Sequence, residues 1–540
     1  MTVGVNATFE FLTKTKNEAA VDIIIAGLDC PYLPTRKAAL RAAINRLNPQ
    51  AHREVFRRLP SLDDDCRAVV SERPERLIHV IRKALQHPDR EIRATACNTI
   101  LAFRLYKALP ALVGLLTLPD NPDTVLAGKT ILELTKRFYA ELSGSDDQPK
   151  RKALDLLRGR ITTELETAAR KFYRHRQAAA VEAFLLVAKQ QNPTLRQLLR
   201  RPDESGHQVI VDLLSTSSQG GVVRLLLSFL DDPQMPRVIA ELLSSRQDFK
   251  FVEHVLRKIG PKPSRTVIKS LARLRSVAWA KPRHQLLEQL DDDSQEATVQ
   301  LLIASSIDRQ DVFAMLRYLL LEGKPGGRRA AVEALQKFDQ PEADTLILKA
   351  LHDKDPQVCA QAIRQLRSRK IPGTLSLLTH MVDNPPQAVL EALREALPEF
   401  NFSRLMANFD ALPNDLQRMA AHVVREIHPH TVDKLTREME SPSHVRRRRA
   451  LQVAGVMGLV RDAEQSVIPL LSDADHMVRA AAAKALADCK TMPTRKALRD
   501  AMLDPSVVVQ EAAEESLQQI SQSLLREVED EEEGQLEAVR

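Results

Sequence analysis

Apolar residues recur along this chain with the spacing of an amphipathic helix, and the same two-helix unit returns several times. The clearest copy is residues 466–486. Its small apolar residues fall at offsets typical of one helical face: Val478, Ala481, Ala482, Ala485 and Leu486. The segment before them contains Pro469 and predicts a shorter amphipathic helix, which a turn at 473–475 joins to the second helix.

The turn between the two helices carries a repeated phrase, Asp-x-x-Val (Asp-x-x-Ile in one copy), which Arg follows in some copies. The copies begin at Asp89, Asp355, Asp475 and Asp504. An aspartate at this place can cap the free N–H groups of the second helix. Copies about 30 residues apart, with two helices in each, predict a stack of helical repeats, because no such unit can bury its apolar face alone.

This L-x-x-L-L…D-x-x-V-R-x-A-A-x-A-L pattern resembles HEAT repeats and the related bilin-lyase-type HEAT-like repeats. The resemblance implies an all-α fold, a right-handed α-α superhelix of the HEAT/armadillo-like solenoid class. The match is strong over residues 77–103 and 345–520. Between about 140 and 320 it is weak, although the helical period remains.

The resemblance also implies a ladder of hydrogen bonds between successive repeats, made by the turn aspartate and the arginine after the valine. Two pairs match both positions: Asp89 with Arg93, and Asp475 with Arg479. The copy at Asp504 keeps only the aspartate, since Val508 falls at the arginine position.

The predicted organisation is one continuous HEAT-like solenoid over residues 1–525, followed by an acidic tail at 526–540 that we expect to be disordered. The chain has only 17 glycines and 4% aromatic residues, which suits many thin Ala/Leu/Val layers better than one aromatic core. Loop-like composition marks two candidate breaks, at 143–149 and 322–327. The tail holds two arginines and seven acidic residues, so its net charge is negative. Because the whole chain is formally +7, the residues before the tail are basic.

The cysteines and the apolar segments predict a cytoplasmic location without a membrane partner. Five scattered cysteines, never in C-x-x-C spacing, indicate buried thiols in a reducing compartment. The N-terminal residues do not resemble a secretory signal, and the longest apolar patches are far too short to cross a bilayer.

No catalytic, cofactor-binding or metal-binding residues are predicted. Residues 128–130 read Gly-Lys-Thr, but Asp123 stands where a phosphate-binding loop needs glycine, and the context is helical. Three histidines lie close in sequence: His422, His428 and His430. An exposed polar turn is the favoured interpretation of this group, with metal binding as the alternative.

Two basic blocks, at 254–284 and 150–176, are the candidate contacts for an anionic partner. In the first, Arg265, Lys269 and Arg273 are spaced by four and should line one helix face. The possible contacts are Lys262, Arg265, Lys269, Arg273, Arg170, Lys171 and Arg174. A merely solvated face remains the more common explanation of such stripes.

Two other features have both a structural and a functional interpretation. The run 446–449 of four arginines is taken as structural, with Arg446 as the ladder arginine, rather than as a nuclear-localisation patch. Trp279, the sole tryptophan, is expected in the core rather than stacked on a base.

The sequence therefore predicts a non-catalytic scaffold that binds protein partners on a concave surface. A nucleic-acid-binding solenoid that uses its basic helix stripes is the alternative. A HEAT-like lyase or modification-enzyme component, implied only by the resemblance, is a third possibility.

Overall fold

The computed structural model describes residues 2–118, 122–144 and 147–539, with side chains throughout except at residues 2, 3 and 527–539. Within these residues all regular secondary structure is helical. Two compact units divide the chain, unit 1 being Met1–Val312 and unit 2 Phe313–Arg540. The fold class is therefore all-α, as predicted. The acidic tail at 526–540 lies almost wholly outside the described side chains, and its predicted disorder stays a prediction.

Unit 1 begins with a helix that precedes the first pair and continues as helix pairs joined by short turns. Its helices are α1 (Thr2–Lys14), α2 (Ala19–Gly27), α3 (Leu33–Asn45), α4 (Pro49–Arg58), α5 (Asp64–Ser71), α6 (Ile78–Ala84), α7 (Arg90–Ala102), α8 (Leu109–Thr117), α9 (Thr124–Ser143), α10 (Gln148–Arg170), α11 (Phe172–His175), α12 (Ala178–Val187), α13 (Pro193–Arg200), α14 (Ser205–Thr216), α15 (Gly220–Ser228), α16 (Arg237–Ser245), α17 (Phe249–Ile259), α18 (Arg265–Leu271), α19 (Gln285–Gln289) and α20 (Asp292–Ala304).

Helix α21 (Arg309–Glu322) contains the boundary, and unit 2 continues with further helix pairs. These helices are α22 (Pro325–Leu335), α23 (Pro341–Ala350), α24 (Pro356–Leu366), α25 (Thr374–Thr379), α26 (Gln387–Ala396), α27 (Phe402–Asn408), α28 (Asn414–Ile427), α29 (Thr431–Met439), α30 (His444–Met457), α31 (Glu464–Val467), α32 (His476–Ala485), α33 (Met492–Ala501) and α34 (Val507–Val539).

The second helices of successive pairs stack side by side and form the core of each unit. In unit 2 the stack runs α22, α24, α26, α28, α30, α32 and α34, each helix packing on the next. In unit 1, α9, α12, α15, α17 and α20 pack in the same way. First helices such as α2, α4 and α6 also pack on one another, in a second layer. This two-layer arrangement is the one that helical repeats use to bury a continuous core.

The predicted apolar stripe on α32 is only partly correct. Val478 and Ala482 are buried as expected, but Ala481 is half-exposed, whereas Ala480 and Ala483 are buried. Helix α32 lies between α30 and α34, so it buries two flanks instead of one face. A single-stripe pattern underestimates burial for a helix inside such a stack.

Close packing between second helices depends on a small residue at α15. A Cβ atom on Gly221 would lie 2.9 Å from Leu186 Cδ2 and 3.1 Å from both the Leu186 carbonyl oxygen and Tyr139 Cε2. Glycine at this position therefore allows α15 to approach α12.

The predicted break at 322–327 is only partly correct: residues 323–324 separate α21 from α22, but Gly326 and Gly327 are buried in the first turn of α22. Pro325 begins this helix, at a position where its missing N–H costs no hydrogen bond. The break at 143–149 falls partly on residues outside the described ones. The single solenoid over 1–525 stays a prediction.

Candidate functional site

Several arginines hold neighbouring repeats together. Each of them forms a two-pronged ion pair with an aspartate about one repeat further along the chain, with nitrogen–oxygen distances of 2.7–2.9 Å: Arg328 with Asp353, Arg447 with Asp473, and Arg479 with Asp504. A third donor on each arginine bonds a backbone carbonyl just before its own helix, as Arg479 Nη1 does to the Asp473 carbonyl at 2.8 Å. These arginines are therefore unavailable to a partner.

Asp89 and Asp475 do not belong to this ladder, which corrects the prediction from the family pattern. Each caps its own helix: Asp89 accepts from Glu91 N–H at 2.9 Å, and Asp475 accepts from Met477 N–H at 2.8 Å. The predicted arginine Arg93 pairs instead with the buried carboxylate of Asp123. The cap position faces its own helix N-terminus, so its carboxylate is already occupied there.

The acidic position of the ladder lies two residues before the cap. Its carboxylate accepts hydrogen bonds both from the preceding repeat and from its own turn. Asp473 accepts from Arg447 and also from the N–H of Asp475 at 2.8 and 2.9 Å. Asp504 likewise accepts from Ser506 N–H, so it holds the same ladder position as Asp473. Arg479 follows Asp473 by the same spacing as Gln510 follows Asp504, so in this copy Gln510, not Val508, holds the arginine position. Gln510 Nε2 donates to the Asp504 carbonyl, as a ladder arginine would.

The arginine run at 446–449 is structural, but the ladder member is Arg447 rather than Arg446. Arg446 pairs with Glu438 at 2.7 Å, and Arg449 pairs with Asp410. Three of the four side chains are therefore neutralised by carboxylates.

The basic residues of 262–283 form a contrasting group, which we call the cationic surface. Its members are exposed and form no ion pair with any residue that the structure describes: Lys262, Arg265, Lys269, Arg275, Lys281 and Arg283. By comparison, Arg257 and Lys258, just upstream, pair with Glu253 and Asp231, each at 2.7 Å. Unit 1 thus presents a concentration of uncompensated positive charge on one short segment.

The predicted single helix face is wrong for Arg273. Helix α18 ends at Leu271, and Arg273 lies in the non-helical segment after it, where its Nη1 donates to the Met235 carbonyl at 3.0 Å. Beyond the end of the helix, Leu274, Val277 and Trp279 are buried. Trp279 is 2% exposed, which confirms its predicted core position.

The second basic block contributes fewer free charges. Arg170 donates to Thr194 Oγ1 at 2.7 Å, and Arg174 lies over the ring of Tyr173. Lys171 is half-buried. These three residues lie on α10 and α11 or between them, several repeats before the cationic surface, so the structure does not assign both blocks to one site.

His175, within that block, is buried, and burial lowers its pKa. Its Nδ1 accepts from Gln177 N–H at 3.0 Å, and its Nε2 lies 2.9 Å from the Ala168 carbonyl. The ring is therefore neutral, with its proton on Nε2.

The other sequence motifs have structural roles. Gly128 and Thr130 lie inside α9, where Thr130 Oγ1 donates to the Leu126 carbonyl. His422 Nε2 contacts Asp383 Oδ1 at 2.7 Å, while His428 Nε2 contacts the Phe400 carbonyl at 2.8 Å. In the described part of the chain, no group of three or more His, Cys, Asp or Glu side chains is arranged to hold a metal ion.

The family model described as HEAT repeats matches residues 316–398 and 432–518. These two segments are HEAT repeats. They contain the three ladder pairs of unit 2, so the arginine–aspartate bonds described above join successive HEAT repeats.

Solved structures match this chain at low sequence identity and low TM-score. A chain in a homology model of the full-length AP-3 complex matches at 14% identity, over 98% of this chain and 96% of that chain, with a TM-score of 0.38. Importin beta matches at 13% identity over 96% and 82%, with a TM-score of 0.24. Human deoxyhypusine hydroxylase matches at 18% identity over 59% and 99%, with a TM-score of 0.18. No curated protein sequence matches the chain.

The cationic surface lies outside both HEAT-repeat segments, in the region where the sequence pattern was weakest. None of the helices that the structure describes combines the length and apolarity needed to cross a bilayer.

Proposed function

We propose that this protein is a non-catalytic scaffold that binds an acidic segment of a protein partner on the cationic surface. The observation that carries the proposal is the contrast between the two classes of basic residue. Ladder arginines are largely buried and paired, whereas Lys262, Arg265 and Lys269 are exposed and lack a carboxylate partner among the described residues. Clustered charge of one sign attracts and orients a partner of opposite sign.

A protein partner is favoured over a nucleic acid because the cationic surface has no aromatic platform. Trp279 is the sole aromatic residue between 254 and 284, and it is buried. Single-stranded nucleic acids are commonly bound by stacking bases on exposed aromatic rings. Nucleic-acid binding through phosphate contacts alone is the second candidate, and the same experiment tests it.

The test compares fluorescence anisotropy of labelled poly-glutamate with that of labelled DNA and RNA oligonucleotides, over a salt series. The variant Lys262→Gln/Arg265→Gln/Lys269→Gln should weaken poly-glutamate binding by about tenfold or more, since each lost exposed charge contact is worth roughly 0.5 kcal/mol. The matched control is Arg257→Gln/Lys258→Gln, which removes paired cations from the same segment.

Equal binding by the triple variant and the control would contradict the proposal. Tighter binding of oligonucleotides than of poly-glutamate, with a steep salt dependence, would support the nucleic-acid candidate instead.

A further inference from the structure

A pocket lined by several charged and hydroxyl side chains adjoins the cationic surface, between α16 and the non-helical segment that follows α18. Its volume is about 670 Å³, within the usual range for ligand pockets. The residues that matter for its chemistry are Arg237, Glu241, Ser244, Arg273, Arg275 and Ser276.

The walls of the pocket are held by backbone hydrogen bonds on two sides. Ala278 N–H donates to the Ser244 carbonyl at 2.8 Å, and Ser306 N–H donates to the Leu274 carbonyl at 2.8 Å. The buried indole of Trp279 holds the same segment in the core. The backbone that carries Arg273, Arg275 and Ser276 is thus fixed before any ligand arrives, which reduces the entropic cost of binding.

Unused hydrogen-bond donors are concentrated in this pocket. Arg273 spends one of its five N–H donors on the Met235 carbonyl, which positions the guanidinium and leaves the others without a described partner. Arg275 and the hydroxyl of Ser276 have no hydrogen-bond partner among the described residues. Ser244 is different, because its hydroxyl already donates to the Ala240 carbonyl.

One carboxylate lies among these cations. Glu241 accepts from Arg237 Nε at 2.8 Å, and both side chains are exposed. Three arginines and one glutamate leave the pocket with a surplus of positive charge.

We propose that this pocket binds the phosphorylated side chain of a serine or threonine on the protein partner. The proposal rests on the proposed function and specifies it. A phosphate group carries about −1.5 to −2 charges at pH 7 and three acceptor oxygens, and arginine forks match such oxygens in pairs. A carboxylate has two oxygens and one charge, so it would leave more of these donors unbound.

The test uses two pools of fluorescently labelled peptides with randomised flanks, which differ only in a central phosphoserine or serine, and a third pool with central glutamate. The full-length protein should bind the phosphoserine pool about tenfold or more tightly than either other pool. In Arg273→Gln/Arg275→Gln this preference should fall to near parity. Arg257→Gln, a paired arginine outside the pocket, should keep it.

A second variant tests the charge balance of the pocket without removing a cation. Glu241→Gln deletes the carboxylate and releases Arg237, so binding of the phosphoserine pool should tighten several-fold while binding of the serine pool stays unchanged. The emission spectrum of Trp279 checks that each variant keeps the fold around the pocket. An unchanged phosphoserine affinity in a folded Glu241→Gln variant would count against the proposal.

The outcomes separate this proposal from the proposed function. If phosphoserine and glutamate pools bind the native protein equally, and the Lys262/Arg265/Lys269 variant weakens both, the pocket is not selective for phosphate and the scaffold proposal stands. If no pool binds and poly-glutamate also fails, both proposals are overturned. If RNA binds more tightly than the phosphoserine pool, the phosphate that this pocket takes belongs to a nucleic acid, and the peptide proposal is wrong.

Discussion

The guanidinium of Arg479 donates two parallel hydrogen bonds, of 2.7 and 2.9 Å, to the carboxylate of Asp504 in the next repeat. Both side chains are largely buried, at 15% and 8% exposure. Because only a planar fork makes this contact, lysine cannot replace it. The bond also lowers the pKa of Asp504 below its usual range.

Substitution of Arg479 should therefore destabilise unit 2 even when the charge is kept. We expect Arg479→Ala to lower the free energy of unfolding by about 1.5–3 kcal/mol and Arg479→Lys by at least half as much. Urea unfolding monitored by circular dichroism measures both. Arg499→Ala, at an exposed arginine on α33, is the control and should change stability by less than about 0.5 kcal/mol. Equal stability of the lysine variant and the native protein would show that charge alone suffices.

Mild acid should weaken the fold around His175. Burial lowers the pKa of this imidazole, so below about pH 6.5 the unfolded chain takes up a proton that the folded chain excludes. The contribution of neutral His175 to the stability of the fold is therefore fully present above that pH and is lost as the pH falls. Protonation would also break the hydrogen bond from Gln177 N–H to Nδ1.

The measurement is the urea midpoint at pH 7.5 and at pH 5.5 for the native chain and for His175→Gln. The variant should be less stable at pH 7.5, having lost the ring's hydrogen bonds, but should show a shallower decline with acidity. Identical declines in both proteins would mean that other groups carry the effect.

Alkylation should distinguish one cysteine from the other four. Burial raises the pKa of Cys66 and Cys97, and it raises the pKa of Cys359 and Cys489 to about 11. Cys30 is the one half-exposed thiol. Because the thiolate is the reactive form, iodoacetamide at pH 8 should modify Cys30 first, as peptide mass spectrometry can show. Rapid modification of a second thiol in the native protein would contradict this packing; Cys30→Ser should remove the fast phase.

Gly221→Ala should be destabilising, because the new methyl group would meet the Leu186 carbonyl oxygen, which cannot turn away as a side chain can. We expect a loss of about 1–3 kcal/mol in the free energy of unfolding. The matched control is Gly159→Ala in α10, where no neighbouring atom lies within 4 Å. That change should stabilise the protein by roughly 0.5–1 kcal/mol, since alanine favours a helix interior. A neutral Gly221→Ala would mean that α15 can move away from α12.

The sequence was sufficient for the fold class and for the parts that repeat regularly. Periodic alanines and the Asp-x-x-Val turn predicted stacked helix pairs, and the repeats at 316–398 and 432–518 confirm them. The sequence pattern placed the ladder aspartate two residues too late, at Asp475 instead of Asp473. Both residues sit in the same turn and both accept hydrogen bonds, so only the structure shows which of them faces the neighbouring repeat.

The candidate site was less predictable because it depends on where helix periodicity stops. Spacing by four placed Arg273 with Arg265 and Lys269, but α18 ends at Leu271, and the buried Trp279 lies in the non-helical segment beyond it. Arg237 could not be assigned to the pocket from sequence. It lies far from Arg273 along the chain, and only the stacking of repeats brings the two side chains to the same cavity.

The arginine ladder has a direction, which makes the two ends of unit 2 unequal. Each ladder arginine pairs with the following repeat, so removal of repeats from the C-terminal side leaves a guanidinium without its counter-ion, held only by the carbonyl before its own helix. Removal from the N-terminal side strands an aspartate instead, and Asp473 would still accept the N–H of Asp475 beside the electropositive start of α32. Progressive truncation of unit 2 should consequently be tolerated better from its N-terminal end than from its C-terminal end.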